Sequence, residues 1–347
     1  SLANRPLNSL KEIFKAWHHQ TLASYEERVK VLREMLRRDV DVSWKLLKSL
    51  LPSFSSEIAS LTHRMRWRMF WEATDLRYTN REWFDMCSEA VGMLISLCDS
   101  DETRFSDLIE AAPGCMPRDR ERILKWAQEA VCNIEHKKGQ AWYTLRRILN
   151  KHKQYPDTDW ALRKDELSPF EQLYSQLYPK DVLVRNVWLF NEDHRTQMID
   201  PASATPFEVD EYKEIEEQVA ARRERAVAEL VKELTLDRVL ELRLEVKYPW
   251  YLGEALAKVI KDEQDLQSVW LCLEDDAPHI AFAHGFIYQK LRCEDFSWMQ
   301  ALVQELLEKG YSDKAVANAL FPVRLGQELW RYVGSLGEGI QREYWLQ

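Results

Sequence analysis

Ten glycines in 347 residues give this chain few of the permissive turn and bulge positions that sheets rely on. That scarcity favours helices. Apolar residues supply 46% of the sequence, enough for a large core, and they recur at helical rather than strand spacing. From Tyr25 the stripe runs Val29, Leu32, Met35, Leu36, and Val42, Leu46, Leu47 and Leu50 carry it into a following helix that Pro52 ends.

Start and stop signals repeat along the chain. Ser9 with Glu12, and Ser24 with Glu27, have the capping-box spacing. Asn80 caps a helix bearing Trp83, Phe84, Cys87, Val91, Leu94 and Ile95. Pro117 suits the first position of another, whose stripe runs Ile123, Leu124, Ala127, Val131 until Gly139 interrupts it. Ser168-Pro169-Phe170-Glu171 and Thr205-Pro206-Phe207-Glu208 each combine a cap, a first-turn proline and a capping-box acid. The second of these opens the longest expected helix, running to about Leu234 and spanning roughly 40 Å. Its seam is Tyr212, Ile215, Val219, Ala226, Leu230 and Leu234, interrupted by Arg222 and Arg223.

Beyond Thr235 the expected helices shorten and pair, with starts near Leu236, Asp265, Ser297 and Arg324. Breakers fall between them at Tyr248-Pro249, Ala277-Pro278, Gly310 and Gly334 to Gly339. A degenerate period of about 30 residues is the pattern of stacked helical hairpins. The expectation is an all-α protein with three parts. Residues 1–156 form an irregular helical N-terminal domain, and 157–205 a helical connector with an irregular loop. Residues 206–347 form a long helix followed by an α-solenoid of the TPR or HEAT kind. The first residue is Ser1, and Tyr344-Trp345-Leu346-Gln347 reads as helix to the end, so a piece of a longer protein is expected.

Six cysteines lie in apolar helical surroundings without a CxxC pair, which in a chain with a full core suggests reduced thiols in a cytosol. No apolar run approaches the length of a membrane span, and no signal peptide opens the chain. The net charge of −9 is uneven. Residues 1–150 hold 24 Lys+Arg against 21 Asp+Glu, and residues 151–347 hold 24 against 36.

The motifs that carry catalysis are missing. Cys272, His279, His284 and Cys293 are near in sequence but lack the paired spacing of a zinc site. His284 sits in the apolar run Ala281 to Phe286 and suits a core position. The adjacent His18 and His19 point apart on a helix and suit a C-terminal cap. There is no GxxxxGK[ST] and no GxSxG. No cofactor, no metal and no catalytic residue are expected.

Charge and aromatic rings leave two candidate surfaces. One is Arg64, Arg66 and Arg68 around Trp67. The other is the acid-free run holding Lys137, Lys138, Arg146, Arg147, Lys151 and Lys153. Both offer phosphate-facing charge beside stacking rings. On a helix, however, Arg66 points away from Arg64 and Arg68, while Trp67, Phe70 and Trp71 aim inward. The longer run is therefore the better expected patch, and Thr62 to Trp71 a packing joint.

Several phrases point outside the chain: Trp17-His18-His19-Gln20-Thr21, Asp41-Val42-Ser43-Trp44, Thr62-His63 leading to Trp67, Trp160-Ala161-Leu162, Arg185 to Phe190, and Tyr344-Trp345. Together they resemble the helical regions of large multidomain bacterial proteins, some of the anti-phage defence type. The resemblance implies a cytoplasmic sensor or scaffold segment whose effector lies elsewhere, and it assigns no functional residues. The expected partner is a protein: a second copy, another part of the same polypeptide, or a foreign protein. Nucleic acid held by the basic residues is the alternative, and no membrane is expected.

Overall fold

The computed structural model describes residues 6–15, 21, 23–52, 79–98, 101–131, 138–192, 200–202, 204, 212–260 and 263–346. Among them there are helices and turns and no strand. The chain divides into two compact units. The first holds residues 1–178 with 200–206, and the second 179–199 with 207–347. The stretch 157–205, expected as one connector, is thus shared between them.

The first unit contains α1 (Pro6–Phe14), α2 (Tyr25–Arg38), α3 (Val40–Leu50), α4 (Asn80–Leu97), α5 (Glu102–Ala111), α6 (Pro117–Ala130), α7 (Lys138–Gln154) and α8 (Lys164–Gln176). Helix α2 starts as its sequence dictates: Ser24 Oγ accepts from Glu27 N, and Ser24 N donates back to Glu27 Oε2. Pro117 opens α6 at its first position. Helix α3 is pinned to α5 through Asp107, which accepts from Trp44 Nε1 at 3.1 Å and Lys48 Nζ at 2.6 Å. Helix α7 packs on α5 and α8, and α8 packs also on α6. That contact places α8 in the first unit.

Three expected helix starts move. Ser9 lies inside α1, not at its cap. Thr79 caps α4, accepting from Glu82 N, so Asn80 is already helical. Helix α8 begins at Lys164 rather than Ser168, because Glu166 Oε2 accepts from Arg163 N and closes the first turn earlier. Pro169 then sits at the sixth helical position, where it lacks the N–H that would bond back one turn. Gly139 does not end α6, which stops at Ala130, but lies in the first turn of α7. The expected loop Ser53 to Ser60 and the start at Thr205 lie outside the described residues.

The second unit contains α9 (Val182–Asn186), α10 (Tyr212–Glu233), α11 (Leu236–Glu241), α12 (Pro249–Val259), α13 (Glu263–Leu271), α14 (Ala281–Leu291), α15 (Phe296–Glu308), α16 (Asp313–Leu320), α17 (Gln327–Ser335) and α18 (Glu338–Trp345). Contacts run in series from α10 to α12, α14, α16 and α18. Helix α15 ends in a Schellman motif: Tyr311 N donates to Leu306 O, Gly310 N donates to Leu307 O, and Gly310 takes φ +76°.

Helix α14 is the centre of this unit. It is buried continuously from Phe282 to Ile287, and Tyr288 is its exposed residue. Its closest neighbour is α12, and the two meet backbone to backbone. A Cβ on Gly253 would lie 1.9 Å from Phe282 O, and one on Gly285 would lie 2.1 Å from Trp250 O. Early residues of α12 face late residues of α14, and the Trp250 and Tyr288 rings extend the same pairing. Only residues without side chains allow such an approach.

The seam of α10 is buried at Ile215, Val219, Ala226 and Leu230. Arg223, which seemed to interrupt it, is buried as well. Its guanidinium lies 3.6 Å from the centre of the Tyr251 ring, and its Nε donates to Leu189 O at 3.2 Å. A buried cation held by a ring face and a carbonyl continues the stripe. Replacement Arg223→Ala is expected to destabilise the unit by about 3 kcal/mol, and Arg223→Met, which keeps the packed stem, by about half as much. Urea unfolding followed by circular dichroism measures both.

Candidate functional surfaces

The basic run of α7 is not the exposed patch that its composition suggests. Arg146 is 0% exposed, held in the same helix as buried Ala141, Trp142, Leu145 and Leu149. Lys153 is drawn into an ion pair with Glu171 at 2.6 Å and donates to Pro201 O at 2.8 Å. Arg147 and Lys151 do face solvent, one turn apart. The Lys151 ammonium lies 4.6 Å from the centre of the Trp160 ring. Lys138 opens the helix, but its side chain lies outside the described residues, as do Lys137, Arg64, Arg66 and Arg68.

The physical reason is packing from two sides. Helix α5 approaches one face of α7, where the Ser106 and Thr144 hydroxyls bond at 2.7 Å and Gln140 N donates to Glu102 Oε1. Helix α8 covers another, stacking Tyr174 on Trp142 at 5.4 Å. Among the described side chains of α7, those of Gln140, Arg147 and Lys151 are exposed. Among the described side chains of the run, the exposed cations are therefore Arg147 and Lys151, one turn apart.

Three buried cysteines and two buried histidines are held in their neutral forms. Burial pushes the Cys87 and Cys115 thiols up to about 12 and Cys272 to about 11, far from a reactive thiolate. His152 is pulled down to about 4 by burial first and then by the Lys151 and Arg120 charges, against an opposing pull from Glu166. Its Nδ1 accepts from Leu162 N at 3.0 Å. Burial likewise lowers His284 to about 4. Both imidazoles are neutral near pH 7 and serve as core groups. Among the described residues no three or more His, Cys, Asp or Glu side chains gather as metal ligands do. Of the four residues near one another in the sequence, Cys272 and His284 are buried, Cys293 is exposed, and His279 Nδ1 lies 3.3 Å from Arg243 O. His18 and His19 lie outside the described residues.

Four large apolar side chains in the last part of the second unit are exposed. Phe321 is 52% exposed, Leu325 71%, Trp330 47% and Trp345 62%. Leu329 and Val333 turn the other face of α17 inward, and Ile340 and Tyr344 do the same for α18. The exposed rings are therefore what remains after the core is filled. Arg324, Arg331 and Arg342 lie among them in the sequence and are exposed. The sequence signal for these residues was weak. Trp330 and Trp345 sit in short amphipathic helices, where a tryptophan is expected to face inward.

No described helix is long and apolar enough to cross a membrane. Comparison with known proteins returns no match, whether to a family, to a curated protein or to a solved structure.

Proposed function

We propose that this chain is a protein-recognition module. The observation that carries the reading is the set of exposed apolar side chains Phe321 and Leu325, in the segment between α16 and α17, and Trp330 and Trp345, on helices that bury Leu329, Val333, Ile340 and Tyr344 on another face. Singly exposed apolar residues are ordinary, but several large ones in one short stretch, interspersed with arginines, have the composition of a binding hot spot. The serial contacts from α10 through α18 support an α-solenoid, an architecture whose neighbouring helices leave extended faces for partners. In this reading the chain is the sensor or scaffold part of a larger cytoplasmic bacterial protein of the anti-phage type that it resembles. The partner is a foreign protein, another part of the same polypeptide or a second copy. The free state of all five described cysteines agrees with a reducing compartment.

The test is the pair Leu325→Glu and Trp330→Glu, introduced into the tagged protein in its native host and followed by cross-linking and quantitative mass spectrometry. A specific partner is expected to fall at least tenfold, with helical content unchanged. The control pair Arg147→Glu and Lys151→Glu should leave the same partner in place. Equal recovery of every cross-linked protein with and without the Leu325 and Trp330 changes overturns the proposal.

A further inference from the structure

Helix α14 has a polar residue in its apolar surroundings, and one neighbour of that residue faces water. His284 is 9% exposed, and its Nε2 is buried without a hydrogen-bond partner. Two other sides of the helix at this level are packed. Gly285 abuts the α12 backbone, and Phe286 takes the edge of the Trp270 ring at 5.6 Å. On the side of His284 stand the Asn318 backbone, which favours the protonated imidazole, and the ring of Phe321. Asn318 is itself fixed, its Nδ2 donating to Leu273 O at 2.8 Å. Phe321 stacks on the imidazole with ring centres 5.1 Å apart and planes 26° from parallel, yet half of its surface is open to solvent.

We propose that the Phe321 ring is a proton-gated lid over His284, closed while the imidazole is neutral and displaced into solvent when the imidazole takes up a proton. A charged imidazolium with a second N–H to satisfy must reach water or an acceptor. The α12 side is backbone, the Trp270 side is packed rings, and Asn318 is tied down, so Phe321 is the neighbour whose movement costs least burial. It follows the last turn of α16, beyond the helix proper.

No charge assists from the elements packed on α14. Tyr251, Glu254 and Lys258 on α12, Cys272 and Glu274 in the 3-10 turn after α13, Glu305 and Glu308 on α15, and Asp313 and Lys314 on α16 exert no resolved pull on His284. The same holds for Tyr288 and Lys290 on α14 itself. Glu274 is taken by Ser312 and Lys314 by Asp276. Burial alone keeps the imidazole neutral, with the Asn318 bond opposing it. A cover that creates this burial controls the proton, and by linkage the proton controls the cover. The lid shares Phe321 with the proposed binding surface, but it rests on the contact of that ring with His284, and its test reads the His284 titration rather than partner capture.

The test follows the His284 ring by NMR, its signal assigned by loss in His284→Gln. In the intact protein the titration is expected below pH 5. In Phe321→Ala, a change at a half-exposed position, it should rise at least tenfold in proton affinity, toward the ordinary histidine value. Radical footprinting of Phe321 should increase at least threefold as His284 titrates, while helical circular dichroism holds. In His284→Gln that increase should vanish. An unchanged His284 titration in Phe321→Ala overturns the lid, as does an ordinary titration near pH 6.5 in the intact protein. Loss of helical signal together with the footprinting change also overturns it, since the event is then unfolding of the unit.

Discussion

Substitution of Gly285 by alanine is expected to destabilise the second unit by about 3 kcal/mol, and Gly253→Ala to do nearly the same. On helix propensity alone each change should stabilise, by up to about 1 kcal/mol. The crossing reverses the sign. The added methyl would stand 2.1 Å from Trp250 O at Gly285 and 1.9 Å from Phe282 O at Gly253, where real Cβ contacts essentially never fall below 3.0 Å. Both obstacles are backbone atoms, so no rotamer change relieves them and α12 must move away from α14. That movement opens the packing of Leu252, Leu256, Phe282 and Phe286, all fully buried.

The double variant should cost less than the sum, because the separation forced by one methyl makes room for the other. Gly334→Ala is the control. It lies within α17 with nothing within 4 Å of the added carbon, so it should be neutral or slightly stabilising. Thermal and urea unfolding of the parent and the four variants measure the series. Equal stability of Gly285→Ala and the parent would refute the close crossing.

The second large effect is acid sensitivity between pH 6.5 and 4. His152 and His284 are both lowered from the ordinary value of 6.5 to about 4 in the folded chain. As pH falls through 6.5 the unfolded chain takes up protons at these positions, while the folded chain resists until about pH 4. Their stabilising contribution is therefore complete above pH 6.5 and is lost progressively on acidification. Each histidine accounts for about 2 kcal/mol at pH 5 and about 3 kcal/mol when the loss is complete. Glu166 works in the same direction but lower. Its carboxyl is held below the usual range mainly by bonds from Arg163 and by the Arg120 and Arg163 charges, against a burial effect that is the largest single influence. Its contribution is lost only below about pH 4.5.

The histidine part is isolated by comparing unfolding free energies at pH 7 and pH 5. The difference should shrink by about 2 kcal/mol in His152→Gln for the first unit, and equally in His284→Gln for the second. A pH dependence identical to that of the parent protein would show that these imidazoles are not held neutral.

Local chemistry was legible where it is complete within a few residues. Ser24 and Glu27 cap α2 reciprocally and Pro117 opens α6, each at the residue its spacing indicates, and the breakers at Pro249 and Gly310 fall between helices, at the start of α12 and just beyond α15. Two signals of the same kind competed at α8. The Arg163 and Glu166 contact prevailed over Ser168-Pro169, because a helix already nucleated tolerates a proline near its start at the loss of one bond. The surfaces were much less legible. Arg146 was read as exposed because charge usually means solvent, yet α5 and α8 both pack on its helix and leave it inside. Trp330 and Trp345 stand exposed while Leu329, Val333, Ile340 and Tyr344 of the same helices fill the core.

The sequence by itself determined the all-helical class, because glycine scarcity, apolar period and capping chemistry act within one or two turns of chain. Only the tertiary structure decided which helices are central and which side chains meet water. Gly253 and Gly285, thirty-two positions apart, mean nothing separately and become a joint only when α12 and α14 meet. Arg223 is a break in a stripe until the Tyr251 ring and Leu189 O turn it into part of the core. Burial belongs to pairs of elements, and no window along one helix contains its neighbour.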